Sequence, residues 1–187
     1  MKVITLFGSY RPKPGSKDYL LACRTGEALA RARFVLCNGG FGGTMEASAK
    51  GAQSAGGATI GITFSGKNLK ANPYIDRVEK KRSLLARLER LVTIADGYIV
   101  FKGGTGTLLE VSLVLEYTHK KFMRPKPIVF LGNFWKAAVK RARQESGSDP
   151  RFHFTTGADR MKKMVRFVST PEAAVRSLCK MLENDGP

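Results

Sequence analysis

The chain is poor in acid. Against 32 lysines and arginines it sets 15 aspartates and glutamates, so its 187 residues carry a formal net charge of +17 and a pI near 10.2. Cysteine is scarce too: Cys23, Cys37 and Cys179 are odd in number, far apart and without a C-x-x-C pair. That argues against a disulfide framework or a thiolate zinc site and makes a reducing cytoplasm the expected compartment. The two histidines, His119 and His153, have no partner pattern and read as surface residues, and no metal-ligand spacing occurs, so neither a metal nor a resident cofactor is expected. No apolar run approaches the roughly 20 residues that a membrane span requires. The opening Val3-Ile4-Thr5-Leu6-Phe7 runs straight into Gly8-Ser9-Tyr10-Arg11, which reads as a first strand rather than a secretory segment.

What is present is a hydrophobic fraction of 43%, ordinary for a globular chain of one domain spanning 1–187. The positive field concentrates anions, whether nucleotides, nucleic acid or acidic membrane. The excess is spread over Arg77–Arg90, His119–Lys126, Lys136–Arg143 and Arg160–Arg166, with no RNP-like aromatic motif or basic tail beside it. Solvated basic faces are the preferred reading, and a nucleic-acid partner is not favoured.

Apolar periodicity orders the elements. Strands are expected at 2–7, Phe34–Cys37, Ala58–Phe64, Gly97–Phe101, Pro127–Leu131 and Val165–Val168. Helices are expected over Asp18–Ala32, from Thr44, from about Asp76 to Ile94, from Thr107 to about His119, over Phe134–Gln144 and from Pro171. Residues 65–75 and Ser146–Pro150 read as loops. Continuous apolar strands alternating with helices predict a Rossmann-like, doubly wound parallel sheet in a three-layer αβα arrangement.

Three strand ends carry unusual turns: Gly8-Ser9-Tyr10-Arg11, Gly39 to Gly43 before Thr44, and Gly103-Gly104-Thr105-Gly106-Thr107. Glycine admits the backbone close to a ligand, and a helix N-terminus offers unpaired N–H groups to phosphate. Thr105 and Thr107 add hydroxyl donors. Neither G-x-x-x-x-G-K-[ST] nor G-x-G-x-x-G after the first strand is present, so a mononucleotide fits better than a triphosphate or a dinucleotide. Gly8, Ser9, Gly39, Gly40, Gly43, Thr44, Gly103, Gly104, Thr105, Gly106 and Thr107 are the candidate contacts.

The run Gly103-Gly104-Thr105-Gly106-Thr107-Leu108-Leu109-Glu110 resembles the PGGxGTxxE motif of the LOG family, the cytokinin riboside 5′-monophosphate phosphoribohydrolases often labelled lysine decarboxylase-like. Leu84-x-x-Arg87-Leu88-x-x-Leu91 stands where that family has M-x-x-R-K-x-x-M, and Gly39-Gly40-Phe41-Gly42-Gly43-Thr44-Met45 is similar to its GGxxGxM turn. The motif proline is Lys102 here, and Leu88 replaces the lysine. The resemblance implies hydrolysis of the N-glycosidic bond of an AMP-like nucleoside 5′-monophosphate to free base and ribose 5-phosphate. It implies Glu110 beside the ribosyl cation, and Arg87 contacting substrate and holding Glu110 ionised. It also implies a homodimer or higher homo-oligomer, for which Leu84, Leu85, Leu88 and Leu91 with Leu113, Val114 and Tyr117 offer a stripe that equally suits a core.

Plainer readings stand beside these. Thr107-x-x-Glu110 alone is a capping box; with GGTG before it and Arg87 upstream it reads as a site. Arg82 competes with Arg87, and Glu46 reads as a first-turn carboxylate on the helix dipole. Phe134 and Trp135 read as packing. A decarboxylase would require a lysine and an acidic partner for pyridoxal phosphate, and no such pair is identified. Two other functions remain: a non-catalytic nucleotide or molybdenum-cofactor carrier or sensor, and a nucleic-acid-binding protein similar in fold to the DNA-processing DprA group.

Overall fold

In the computed structural model, which describes residues 1–65, 70–146 and 164–183, strands and helices alternate along the chain. They are β1 (Val3–Phe7), α1 (Lys17–Arg31), β2 (Val35–Asn38), α2 (Thr44–Ser54), β3 (Thr59–Phe64), β4 (Arg77–Lys81) and α3 (Leu84–Thr93). Then follow β5 (Gly97–Val100), α4 (Thr105–His119), β6 (Ile128–Leu131), α5 (Lys136–Ser146), β7 (Val165–Val168) and α6 (Pro171–Glu183). The strands form one parallel sheet in the order β4-β3-β2-β1-β5-β6-β7. β1 is central because its run VITLF is apolar enough to be covered on both faces; Thr5 faces Cys37 of β2 on one side and Tyr98 of β5 on the other.

Strand alternation deals the side chains to two cores. Ile4, Leu6, Leu36, Ile99 and Val129 pack under α1, α2 and α6, with Leu29, Ala47, Ala52 and Leu178. Phe7, Ile62, Tyr98, Val100 and Phe130 pack under α3, α4 and α5, with Leu91, Val111, Trp135 and Val139. The result is the expected three-layer αβα, Rossmann-like architecture. α1 and α2 meet backbone to backbone: a Cβ on Gly26 would stand 1.9 Å from the Ser48 carbonyl oxygen, and one on Gly51 1.8 Å from that of Cys23.

One element differs in kind from its expectation. The helix expected from Asp76 to Ile94 is a strand followed by a shorter helix, because β3 would otherwise present an unpaired edge, and Arg77–Lys81 fills it in parallel register from Ile60↔Arg77 to Phe64↔Lys81. β4 then becomes the edge itself, and its sequence RVEKK blunts that edge with charge. Helix α3 starts only at Leu84, where Ser83 accepts a hydrogen bond from the Ala86 N–H at 3.1 Å. Asp76, the residue before β4, accepts from the Thr59 N–H at 2.7 Å and fixes the entry of both strands. The other boundaries fall within two residues of those expected. Residues 66–69 of one expected loop, 147–150 of the other, and His153 lie outside the described residues.

Glu79 binds the edge to α3. Its carboxylate accepts from Arg90 Nε at 2.8 Å and Nη2 at 3.1 Å, with Arg77 and the Lys81 ammonium alongside. These partners, Arg90 first, pull its pKa down to about 2. A depressed carboxylate pKa contributes stability above the ordinary carboxylate range, lost as pH falls towards the folded value. Glu79→Gln is therefore expected to destabilise the protein by about 2 kcal/mol at pH 7 after allowance for solvent screening, and by less at pH 3, as urea unfolding at the two pH values would show.

Candidate functional site

The direction of winding reverses between β1 and β5, and in open parallel sheets the crevice that takes a ligand lies at such a point, beyond the carboxyl ends of the strands. The turns at that edge touch one another. The Thr44 N–H donates to the Ser9 carbonyl at 2.9 Å, and the Phe101 N–H to that of Phe7 at 2.9 Å. Gly43 has φ +67°, and a Cβ there would lie 2.3 Å from the Tyr10 carbonyl carbon. Two asparagines the sequence reading passed over hold the second turn. Buried Asn38 accepts from the Gly40 N–H at 2.8 Å while its Nδ2 donates to the Met45 carbonyl at 2.9 Å. Asn72 reaches over from the β3–β4 connection, its backbone N–H donating to the Gly40 carbonyl at 2.8 Å and its Nδ2 to the Phe41 carbonyl at 2.9 Å. An asparagine at the exit of a strand before Gly-Gly is a turn signal, and Asn38 was legible on that ground.

Two helices begin at the crevice without a side-chain cap. Gly43 precedes α2 and Gly104 precedes α4, and neither cap position makes a side-chain hydrogen bond. By contrast α1, α3 and α6 are capped by Ser16, Ser83 and Thr170. The leading N–H groups of α2 and α4 thus have no side-chain acceptor from the cap position, and the positive dipole end of each helix faces the crevice edge. At Gly104 and Gly106 an added Cβ would meet nothing within 4 Å, and both positions are exposed, as is Thr105. Neither packing nor a positive φ explains glycine there. Gly39, Gly40, Gly43, Thr44 and Thr107 are buried and form the frame of the turns, while Gly8, Ser9 and Gly103 are half-buried.

Arg87 is the charged side chain at the centre of this frame, only 7% exposed. Its Nε donates to the Ile62 carbonyl at 2.7 Å and its Nη2 to the Gly39 carbonyl at 3.2 Å. The guanidinium carbon stands 5.4 Å from the centroid of Phe41 and 5.7 Å from that of Phe64. Gly39 is obligatory for this placement, since a Cβ on it would lie 1.9 Å from Nη2. Among the described residues Arg87 forms no ion pair with a carboxylate. Arg82, the competing candidate, is exposed in the bend before α3.

Glu110 sits in the second turn of α4, half-buried, and its charge couples to that of Arg87. Capping does not explain it: α4 is capped at Gly104, Thr107 lies inside the helix, and Glu110 makes no hydrogen bond back to the helix start. The expectation that Arg87 holds Glu110 ionised is corrected. Burial raises its pKa to about 7 and outweighs the lowering by Arg87, because the two groups do not meet in an ion pair. Lys102 extends to the first turn of α1, its Nζ 2.8 Å from the Asp18 carboxylate, and so ties the β5–α4 turn to α1. Glu46 accepts from the Tyr19 hydroxyl at 2.8 Å. Trp135 is buried, donating from Nε1 to the Phe101 carbonyl at 2.8 Å, and Phe134 beside it is 60% exposed. Among the described residues no cluster of His, Cys, Asp or Glu has the makings of a metal site, and no helix is long and apolar enough to cross a membrane.

Known proteins resemble this chain. The profile of the SLOG cluster4 family matches residues 1–161. An uncharacterized protein of Archaeoglobus fulgidus is 38% identical over 116 residues, 62% of this chain and 76% of its own length. A cytokinin riboside 5′-monophosphate phosphoribohydrolase of Rhodococcoides fascians is 29% identical over 136 residues, 71% of this chain and 68% of its own. The solved structure of the molybdenum cofactor binding protein of Rippkaea orientalis superposes with a TM-score of 0.71 at 25% identity, over 97% of each chain.

The raised pKa of Glu110 has a consequence for stability. A carboxyl raised in the folded state costs nothing at low pH, and its penalty grows as pH rises from the ordinary value through about 7. Glu110→Gln is expected to raise Tm at pH 8 and to leave it nearly unchanged at pH 4.5, about 2 kcal/mol separating the two differences in parallel thermal melts.

Proposed function

The chain belongs to the SLOG cluster4 family, and from that membership we propose that it hydrolyses the N-glycosidic bond of a nucleoside 5′-monophosphate of AMP-like form. The observation that carries the reading is the coupling of Arg87 and Glu110 at an edge where α2 and α4 start without side-chain caps. The N–H groups of exposed Gly104, Thr105 and Gly106 suit the phosphate. Arg87, buried without a carboxylate partner, suits an oxygen of the phosphate or ribose. As the bond from the ribose anomeric carbon to the base nitrogen lengthens, positive charge collects on the sugar, and ionised Glu110 stabilises it. Water adds to that carbon and loses a proton, the departing base nitrogen gains one, and ribose 5-phosphate and free base result. Glu110 also suits water activation, a role that requires its ionised form. The relative from Rhodococcoides fascians supports this chemistry.

A second reading is a carrier or sensor that keeps the turns and omits catalysis. It is favoured by Lys102, which occupies the position of the motif proline and is held by Asp18, and by the full-length likeness to a molybdenum cofactor binding protein. In either case a homo-oligomer is proposed. The expected stripe divides: Leu88, Leu91 and Val114 are core, Leu113 and Tyr117 are half-buried, and Leu84 and Leu85 stay exposed at the start of α3; Leu108 and Leu109, outside the stripe, are exposed at the start of α4. A cytoplasmic location accords with three unpaired cysteines.

Incubation with a panel of nucleoside 5′-monophosphates, following base and ribose 5-phosphate release, separates the readings. Turnover that rises with pH through about 7 and is lost in Glu110→Gln, with binding kept, supports the hydrolase; binding without turnover across the panel rejects it in favour of the carrier. Trp135, the chain's one tryptophan, offers a fluorescence readout of binding. Gly106→Ala is expected to fold with equal or higher Tm, since alanine favours a helix by roughly 1 kcal/mol over glycine, and to weaken nucleotide binding at least tenfold. Normal binding by that variant contradicts a ligand on the α4 turn. Leu85→Asp is expected to lower the oligomeric state in sedimentation experiments.

A further inference from the structure

We propose that Phe41 and Phe64 are positioning residues that hold the Arg87 guanidinium charged and apart from Glu110, so that both groups stay available to an anionic ligand. The inference rests on Arg87 and Glu110 being the reactive pair, and its test needs no substrate.

A buried guanidinium ordinarily acquires a carboxylate, since an unpaired interior charge is costly. Arg87 has instead two neutral acceptors, the carbonyls of Ile62 and Gly39, and two aromatic faces. The rings come from different elements: Phe64 ends β3, and Phe41 lies in the turn after β2. They meet edge to face, centroids 5.8 Å apart at 77°, and each presents its ring within cation–π range of the guanidinium. Such contacts are directional and electrostatic, but they quench no charge. The cation is therefore accommodated without an ion pair, and three of its five N–H donors have no partner among the described residues.

The turn that carries Phe41 is itself braced. Asn72 takes hold of Gly40 and of the Phe41 carbonyl, and Asn38 fixes the Gly40 N–H. Phe41 is thus set by hydrogen bonds to the backbone on both flanks that do not involve Arg87. Glu110 faces Arg87 as its one resolved charged neighbour, and Arg87 faces Glu110 from α4 and the buried Cys37 thiol from β2. The thiol is pushed up to about 12 by burial and stays neutral, so no other titrating group competes near neutral pH. If the rings were aliphatic, the guanidinium would lose its π contacts and Glu110 would be the nearest counterion to take.

The test is the pH titration of the Glu110 carboxyl followed by carbon NMR of ligand-free protein, the signal being assigned by its disappearance in Glu110→Gln. In Phe41→Leu/Phe64→Leu the midpoint is expected to fall by about one pH unit or more, the signature of a newly formed ion pair. Aromatic replacement in Phe64→Trp is expected to leave the midpoint where wild type has it. An unchanged or raised midpoint in the folded leucine variant overturns the proposal, whether or not the protein hydrolyses nucleotides. A second measurement stands on wild type alone: the Arg87 Nε–H resonance should be ring-current shifted and its guanidinium rotation slow. A freely rotating, unshifted guanidinium would overturn the proposal even if the leucine variant failed to fold.

Discussion

The structure at the crevice is arranged around one buried guanidinium that lacks a carboxylate. Arg87 enters from the first turns of α3, and its position requires several things at once. Ser83 must start α3 where it does, Ile62 must present its carbonyl from within β3, and residue 39 must have no side chain. A Cβ at residue 39 would take the place of Nη2. The edge strand β4 belongs to the same set, because Glu79 grips Arg90 one turn further along α3 and fixes the rotation of the helix about its axis. A region that looks in sequence like a charged stretch of ordinary surface is thus the support that aims Arg87.

Much of this could be read from the residues. Apolar runs such as VITLF and TIGITF have the composition of doubly covered parallel strands, and the glycine turns announce strand ends where a helix follows at once. Those signals are local, and local signals survive folding well. Arg77–Lys81 failed for a physical reason: an edge strand is held by its neighbour's backbone, so its side chains need no alternation and carry none. Its strand state is a property of β3's open edge, which no window of eleven residues contains.

The site was legible to the same depth. Arg87 and Glu110 were marked by motif spacing, and the structure brings them near enough for their charges to interact without an ion pair. Phe41, Phe64, Asn38 and Asn72 were not marked, because their importance comes from a pairing across distant segments: Asn72 stands 31 residues from the Phe41 carbonyl it binds, and Arg87 48 from that of Gly39. Several glycines expected to meet ligand are buried and serve the frame, whereas Gly104 and Gly106 lie open. Sequence alone cannot separate a glycine that makes room for its own chain from one that makes room for a guest, since the residue is the same and only its surroundings differ.

The electrostatics of the crevice and of the whole molecule point the same way. Locally, an unpaired guanidinium and a carboxyl raised to about 7 by burial each cost folding free energy, and their mutual attraction offsets that cost only in part. Two partly compensated charges in one site are expected where a ligand completes the arrangement, because a species that binds only the folded state returns the deficit as binding free energy. Globally, a net charge of +17 draws anions towards every face, but two helix starts without side-chain caps, those of α2 and α4, lie at this crevice. The phosphorylated small molecule proposed above suits both scales at once: the diffuse field would raise its encounter rate, and the helix ends with Arg87 would fix its orientation. A long polyanion would exploit the first and leave the second without a purpose, which is why the charge by itself is a weaker guide to the ligand than the one arginine that has been kept from its counterion.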